Sequence, residues 1–295
     1  MTAATPMTRL LIVNADDYGL TAAVSAGILR AHREGVVTST SVLAVAPGFA
    51  ASAAWLAGEP GLGVGVHLAA VGEDPPLLSA AEIPTLVDKR GRFPSSWRRF
   101  LPSAAAGRVD PGDLAREFAA QYAAVSAAGV TITHLDTHQH LHLWPLVRGV
   151  VLDLARDRGV AGIRVPRSHR RHPVSAGLSR LSGQLVDAVG AAGLATAADS
   201  SGVDEAGGFD HPQLVTALDG FVARRSPSAE LGVHPGEADD PDRARYRWDY
   251  KWGGELELLT SAAARRAILD RDFRLGSYAD LVGAGGATGG PRAGA

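Results

Sequence analysis

Short apolar segments alternate with helix-like patterns along most of the chain. Residues 10–15 are almost continuously apolar rather than alternating, which is typical of a strand covered on both faces. Residues 21–33 follow with helical spacing of apolar positions, with Thr21 at the N-cap position and Gly35 just past the end. The two segments predict one strand followed by one helix.

The same alternation continues along the chain. Further strands are predicted over residues 36–45, 63–66, 130–135, 162–165 and 231–234. Further helices are predicted over residues 113–128, 146–158, 176–192 and 212–223. Strands repeatedly separated by helices indicate a mostly parallel sheet, open or closed. We expect the closed form, an α/β fold in which a single domain makes a β/α barrel of the TIM type.

Residues 72–112 interrupt this rhythm. They contain six prolines and the cluster Trp97, Arg98, Arg99 and Phe100, and they show no clean period. We expect an inserted segment in a domain spanning residues 9–282, either a lid or a solvated excursion. Residues 1–8 and the glycine-rich residues 283–295 are predicted to be flexible.

Composition narrows the classes of function. The chain has 295 residues, of which 46% are hydrophobic and 20% charged, as in a folded globular protein. Its 29 Lys and Arg balance 31 Asp and Glu, so no excess charge favours nucleic acid or an anionic membrane. Because cysteine is absent, a metal would have only His, Asp and Glu ligands.

No targeting or membrane-spanning segment is predicted. The apolar run at residues 10–13 is too short for the core of a signal peptide, and no run of 18 apolar residues follows. We therefore expect a cytoplasmic protein without a membrane span.

Acidic residues and histidines recur at the predicted carboxyl ends of strands, where α/β proteins place their active sites. Asp16 and Asp17 end the first strand, and on an extended backbone their carboxylates would point to opposite sides and take different roles. Alternatively, the pair only caps the helix that begins near Thr21.

A second group follows the strand at residues 130–135. Asp136, His138, His140 and His142 have the same parity and would line one face if the chain stayed extended. Closely spaced imidazoles beside an acid are what a metal site and its supporting hydrogen bonds require. The alternative is a polar strand end with incidental histidines.

Single residues at other strand ends add to this pattern. His67 ends an apolar strand, and His234 is well placed for proton transfer near neutral pH, although each alone could be an ordinary core or turn residue. Arg164 follows another strand and could contact a substrate. The aromatic residues around Trp252 are of the kind on which sugars pack.

With these residues in view, the sequence resembles the YdjC-like family of carbohydrate deacetylases, which remove acetyl groups from N-acetylated sugars. The resemblance extends from Leu10 to Leu281. The motifs that carry it lie at residues 11–20 (LIVNADDYGL), 35–41 (GVVTSTS), 63–68 (GVGVHL), 136–142 (DTHQHLH), 163–166 (IRVP), 234–236 (HPG) and 255–259 (ELELL).

The resemblance implies a deacetylase-type β/α barrel with one divalent cation held by Asp17, His67 and His138. It further implies that Asp16 is the general base for the water that the cation activates. His234 would protonate the leaving amine or stabilise the oxyanion. Asp136, His140, His142, Arg164 and Trp252 are expected to bind substrate or support these groups.

The resemblance leaves several properties open. Magnesium or zinc is expected, and manganese, cobalt, nickel or iron would also suit two imidazoles and a carboxylate. The residues alone do not distinguish which of His138, His140 and His142 bind metal, and the resemblance does not say which N-acetylated sugar is used. A homodimer is a further hypothesis, for which the sequence shows no distinct interface.

Two other functions use the same residues. A catalytically silent relative would bind sugar or metal without turnover. A non-haem iron oxygenase would use the same two histidines and one carboxylate, although such sites usually occur on antiparallel barrels. We expect the deacetylase, because the complete set of acidic and histidine residues is present.

Overall fold

The structure is a computed structural model that describes residues 8–170 and 172–285. Within these ranges eight parallel strands form one sheet. They are β1 (Arg9–Tyr18), β2 (Ser39–Val42), β3 (Gly63–Leu68), β4 (Ile132–Thr137), β5 (Gly162–Ile163), β6 (Asp199–Ser201), β7 (Ser228–Val233) and β8 (Phe273–Gly276).

Helices connect the strands. They are α1 (Ala22–Glu34), α2 (Phe49–Ser52), α3 (Trp97–Ala105), α4 (Pro111–Ser126), α5 (Pro145–Arg158), α6 (Pro173–Ala191), α7 (His211–Ala223), α8 (Trp252–Thr260), α9 (Ala262–Leu269) and α10 (Tyr278–Gly285). Short 3₁₀ segments occupy Ala53–Gly58, His138–Leu143 and Pro241–Arg245.

The sheet curls into a barrel-like form. Seven strands follow the order β5-β4-β3-β2-β1-β7-β6, and β8 pairs with the beginning of β1. A bridge between Gly162 and Ala195 joins the β5 edge to the segment that leads into β6. The predicted α/β barrel class and the single domain are therefore confirmed.

The two faces of β1 show where the core lies. Leu11 and Val13 are fully buried in the main hydrophobic cluster, which includes the helices around the barrel. Leu10 and Ile12 point to the opposite face and pack on Tyr278 of α10. Tyr278 thus closes the barrel interior beneath the polar residues that follow along the strands.

Most predicted elements are present, with shifted boundaries. The Thr21 side chain accepts a hydrogen bond from the Val24 amide, so Thr21 is the N-cap of α1 as predicted. The predicted strand over residues 36–45 is reduced to β2. Neither β6 nor β8 was predicted, because both are short and β6 consists of Asp-Ser-Ser without an apolar signal.

The inserted residues 72–112 are more ordered than their pattern indicated. They contain α3 and bury Ile83, Leu86 and Phe93. The Glu117 carboxylate on α4 accepts hydrogen bonds from the amides of Leu77 and Leu78, which holds the segment on the barrel. A lid movement of this segment stays a prediction.

The ends of the chain are described only in part. Helix α10 continues to Gly285 and so includes the first residues of the predicted tail. Residues 1–7 and 286–295 lie outside the described ranges. Among the described helices, none combines the length and the apolar character that crossing a membrane requires.

Candidate metal centre and active site

The inner face of the barrel becomes polar toward the carboxyl ends of the strands. Asn14 and Asp16 continue the inward face of β1, and Ser41, Gly65 and His134 stand side by side on neighbouring strands. A Cβ atom at Gly65 would lie 2.3 Å from the His134 ring. Small residues therefore leave the space that the larger polar side chains occupy.

Three side chains from three strand ends meet at this polar face. Oδ1 of Asp17 lies 3.6 Å from Nε2 of His67 and 3.6 Å from Nδ1 of His138. One ligand atom from each residue lies within 4.8 Å of the other two, and all three residues are buried. The structure thus brings together the three residues that the family resemblance implied as metal ligands.

An irregularity in β1 turns Asp17 toward this group. The pairing of β1 with β2 shifts register between Ala15 and Tyr18, and Asp17 has a φ of 66°, in the left-handed region. As a result Asp16 and Asp17 line the same cavity. The expectation that the two carboxylates point to opposite sides was wrong, and so was the helix-cap alternative, because Thr21 caps α1.

Asp136 fixes the orientation of His67. Its Oδ1 lies 2.9 Å from Nδ1 of His67, so the other ring nitrogen faces Asp17. Burial by itself lowers the pKa of His67, but the charge and hydrogen bond of Asp136 outweigh it and raise the pKa to about 9. A carboxylate behind a histidine is the usual support of a metal-binding imidazole.

The surroundings of the three ligands fit a divalent cation. Oδ1 of Asp17 is buried and has no hydrogen-bond donor among the residues described. Four buried carboxylates, those of Asp16, Asp17, Asp136 and Glu230, lie in this region. Three of them contact the Arg164 guanidinium, and without a metal the protonated His67 ring is the second buried cation. Because buried negative charge is unfavourable without compensation, a cation beside Asp17 would restore the balance.

A second acidic group is less suited to a cation. Asp16, His67 and Asp136 also place one ligand atom each within 4.8 Å of one another. The carboxylates of Asp16 and Asp136, however, already contact the Arg164 guanidinium. The Asp17 group, whose oxygen lacks such a partner, is the better candidate.

Arg164 is enclosed by carboxylates. Its Nη1 lies 2.6 Å from Oδ2 of Asp16 and 2.6 Å from Oδ2 of Asp136, and its Nη2 lies 2.7 Å from Oδ1 of Asp16. Nε and Nη2 each lie 2.8 Å from Oε1 of Glu230. Three of these contacts are hydrogen bonds and the other two are ion pairs, so Arg164 holds protein carboxylates in place.

Arg164 also keeps Asp16 ionised. Burial alone would raise the pKa of Asp16, but the Arg164 guanidinium, and next His67, outweigh it and hold the pKa well below its usual range. Asn14 donates a further hydrogen bond of 2.8 Å to Oδ1. Asp16 is therefore a charged acceptor of fixed orientation.

His234 lies next to Asp16 in the wall of the cavity. Its Nε2 lies 4.0 Å from Oδ2 of Asp16, and its Nδ1 is buried without a hydrogen-bond partner in the described part of the chain. The Glu255 carboxylate accepts the His234 amide at 2.6 Å and the Phe209 amide at 3.1 Å, which fixes the backbone here. Neither ring nitrogen of His234 is therefore held by a hydrogen bond from the described residues.

The segment after β4 does not stay extended, so the expected alternation of histidines along one face was wrong beyond His138. The chain turns through a 3₁₀ segment in which Gln139 and His140 have φ values of 53° and 56°. His142 is buried and lies 2.7 Å from the Thr137 hydroxyl and 3.0 Å from the Arg164 carbonyl. It therefore supports the backbone that carries Arg164.

His140 lies beside the cavity. Burial, Arg164 and His142 lower its pKa to about 3, so the ring is neutral. Its Nδ1 is another buried atom without a partner in the described ranges. The role predicted for His140, in binding substrate or supporting the catalytic groups, stays a prediction.

Aromatic side chains surround the site, but Trp252 is not among those that line the cavity. Trp252 is buried, with its ring centroid 5.3 Å from that of Tyr250. Tyr250 lines the cavity and packs on His234 at 4.8 Å, while Trp248 stacks on His138 at 5.4 Å. The role predicted for Trp252, in binding substrate or supporting the site, stays a prediction.

The cavity above these residues has a volume of about 90 Å³. Its lining includes Asp16, Asp17, His67, His138 and His234. A larger apolar groove between α3 and α6, with Trp97 and Trp144 in its wall, shares Gln139 and His140 with it.

Two participants were missed by the sequence reasoning. Glu230 contacts Arg164, and the Tyr278 hydroxyl donates to Oε2 of Glu230 at 2.6 Å. A signal for Glu230 was available, because a carboxylate between Ala229 and Leu231 interrupts an apolar strand and shares the parity of His234. Tyr278 gave no such signal.

Comparison with known proteins identifies relatives that match most of the chain. A family model described as YdjC-like protein matches residues 10–270. A Klebsiella pneumoniae protein named chitooligosaccharide deacetylase is 33% identical over 276 residues, 93% of this chain and 100% of its own length. A Brevibacillus brevis protein named carbohydrate deacetylase is 30% identical over 278 residues, 92% of this chain and 99% of its own.

A solved structure agrees with the fold. An Enterococcus faecalis protein, named for cellobiose-phosphate cleavage, superimposes with a TM-score of 0.76 at 27% identity, covering 93% of this chain and 99% of its own. The family model and the two relatives extend over most of the chain. The resemblance seen in the sequence is therefore confirmed, and the chain belongs to the YdjC-like protein family.

Proposed function

We propose that this protein is a carbohydrate deacetylase that hydrolyses the acetamide of an N-acetylated sugar to acetate and a free amine, with one divalent cation held by Asp17, His67 and His138. The observation that carries the proposal is the orphaned Oδ1 of Asp17 between two imidazole nitrogens, beside an ionised Asp16. The names of the two relatives support the reaction class.

Asp16 is the proposed proton acceptor. Arg164 and Asn14 fix its carboxylate at the cavity wall, and its low pKa keeps it charged. A carboxylate of low pKa is a weak base, so it accepts a proton readily only from an acidified water. A divalent cation, when bound, supplies that acidity and polarises the acetyl carbonyl.

His234 is the proposed proton donor to the leaving amine. The ring lies beside Asp16, with Nε2 4.0 Å from Oδ2, packs on Tyr250 and makes no ring hydrogen bond to the described residues. An amine leaves as a neutral group only if it is protonated as the C–N bond breaks. A histidine in this position can take up a proton and deliver it to the nitrogen.

Two imidazoles and one carboxylate favour zinc or another first-row divalent cation, whereas magnesium prefers oxygen ligands. The sugar is the remaining unknown. The relatives are named for chitooligosaccharides and carbohydrates, and the adjoining apolar groove would also accept a non-sugar substituent. Both substrate types therefore belong in the test.

The test is acetate release from N-acetylglucosamine, its β-1,4-linked oligomers and its alkyl glycosides, measured with and without added divalent cation and with a chelator. We expect cation-dependent release from at least one of these and an equal yield of free amine. Binding of a sugar without acetate release, on protein that has bound cation, would contradict the deacetylase and favour a silent relative.

A further inference from the structure

A buried hydrogen-bond chain links the last described helix to Asp16. Tyr278, near the start of α10, is fully buried inside the barrel, and its ring stacks on His134 at 4.1 Å. Its hydroxyl donates to Oε2 of Glu230 at 2.6 Å. Oε1 of Glu230 accepts from Nε of Arg164 at 2.8 Å, and Arg164 reaches Asp16.

The arrangement is more polar than barrel packing requires. The interior of a β/α barrel is commonly filled by branched apolar side chains, and Glu230 lies between Ala229 and Leu231, which are both buried in the core. Replacing a buried ionic group by well-packed apolar residues is often neutral or favourable for stability. The network is therefore better explained by what it orients than by the stability it adds.

Each link restricts the next one. The two oxygens of Glu230 face different partners, the Tyr278 hydroxyl on one side and the Nε edge of Arg164 on the other. Without the hydroxyl, Oε2 would be a buried acceptor lacking its donor, and the carboxylate would be free to turn. The guanidinium would then lose the contact along its Nε edge that sets its plane against Asp16.

We propose that Tyr278 and Glu230 are positioning residues for deacetylation, which hold the Arg164 guanidinium in the plane that orients the Asp16 carboxylate. The proposal rests on the proposed function, because it assigns these residues to the same reaction. Glu230 reaches the cavity wall, but neither residue is one of the three ligand residues Asp17, His67 and His138, so cation affinity should be independent of Tyr278.

The test compares Tyr278→Phe with Tyr18→Phe. Tyr18 is also fully buried, and its hydroxyl donates to the Ser52 carbonyl, away from the Arg164 network. For Tyr278→Phe we expect kcat to fall about 10- to 100-fold, as for other residues that orient catalytic groups, with KM and cation affinity within about twofold. Tyr18→Phe should keep the wild-type kcat.

Glu230→Gln provides a second route if Tyr278→Phe folds poorly. We expect a similar loss of kcat, and the double variant Tyr278→Phe/Glu230→Gln should be no slower than the slower single variant, because both substitutions break one chain. Calorimetric cation titration and thermal unfolding of each variant separate positioning from loss of structure.

Two results would overturn the proposal. One is a wild-type kcat in folded Tyr278→Phe. The other is a fall in cation affinity that matches the fall in kcat, which would indicate general damage to the site. Failure of the proposed function is distinguishable, since the wild-type protein itself would then release no acetate.

Discussion

Asp16 and Asp17 are adjacent in the sequence, yet their surroundings are opposite. Asp16 lies on the side of the site where carboxylate oxygens meet donors from Arg164 and Asn14. Asp17 lies on the side where a buried oxygen faces two imidazole nitrogens and, among described residues, has no donor. A saturated set of hydrogen bonds fixes geometry, whereas an incomplete one is suited to an external ligand.

The comparison also explains why one irregular backbone position matters. With a regular β1, Asp17 would face away from Asp16, and only one carboxylate would enter the cavity. The register shift and the positive φ of Asp17 place both on the same face. In the proposed mechanism, cation binding and proton transfer are thus assigned to neighbouring residues.

The largest expected effect comes from substituting Asp17, whose buried oxygen lacks a hydrogen-bond donor among the described residues. Asp17→Ala removes the ligand oxygen that both imidazoles face, so we expect loss of cation binding and of activity together. The loss of a cation that contributes several kcal/mol to the transition state corresponds to a fall of more than about 10³-fold in kcat/KM. Bound metal and acetate release are measured on the same sample.

The control for this variant is Asp187→Ala, because Asp187 is an exposed carboxylate on α6. It should bind cation and turn over as the wild type does. An Asp17→Ala protein that loses activity while it retains the cation would show that Asp17 is not a ligand.

A second variant changes Asp16, whose carboxylate oxygens already accept hydrogen bonds from Arg164 and Asn14. Asp16→Asn keeps the size of the side chain and leaves the three ligands intact, so cation affinity should change by less than about tenfold. Turnover should fall by about 10²- to 10⁴-fold, the usual contribution of a general base. Retention of turnover would remove Asp16 from the role of base.

The pKa of His67 predicts how cation binding depends on pH. Burial alone would lower this pKa, but Asp136 raises it to about 9. A cation binds only the neutral ring. Below pH 9 each bound cation must displace this proton. The apparent dissociation constant should therefore fall by about tenfold per pH unit toward pH 9, measured by calorimetry.

Cation-free protein should show the opposite trend. A folded-state pKa above the ordinary value of 6.5 gives stabilisation that is complete below pH 6.5 and is lost as pH rises through 9. We expect the free energy of unfolding to fall by up to about 3 kcal/mol across this window. Asp136→Asn should flatten both pH dependences, and unchanged slopes would exclude His67 as their source.

The smallest expected effect is an increase in the melting temperature, Tm, when cation binds. At a cation concentration about 100-fold above Kd, binding stabilises the folded state by about 2.7 kcal/mol. For a domain of this size that is an increase in Tm of roughly 5–10 °C. Cation should leave the Tm of Asp17→Ala unchanged, and an equal increase in both proteins would indicate binding elsewhere.

Much of this account was predictable from the sequence. Apolar runs separated by helical patterns predicted the barrel, and the parallel arrangement then placed Asp17, His67 and His138 at one end of it. The motifs that end those strands carried the family resemblance, which the comparisons confirmed. Site residues at strand ends can be predicted from the sequence, because the topology of a parallel sheet alone brings them together.

The rest depends on tertiary geometry that periodicity does not encode. Positive φ values at Asp17 and His140 change where side chains point, and no local pattern in the sequence predicts them. Arg164 was expected to bind substrate or to support the catalytic groups, and only the tertiary structure shows that three carboxylates from distant strands enclose it. Tyr278 enters the network only because α10 closes the barrel interior.

The most direct test of the central claim is a titration of metal-stripped wild-type protein with one divalent cation, in which occupancy and acetate release are measured at every point. We predict that release is absent without cation, rises in proportion to occupancy and saturates at one cation per chain. Full acetate release at zero occupancy, or release that does not follow occupancy, would contradict the assignment of Asp17, His67 and His138 as the ligands of a catalytic cation.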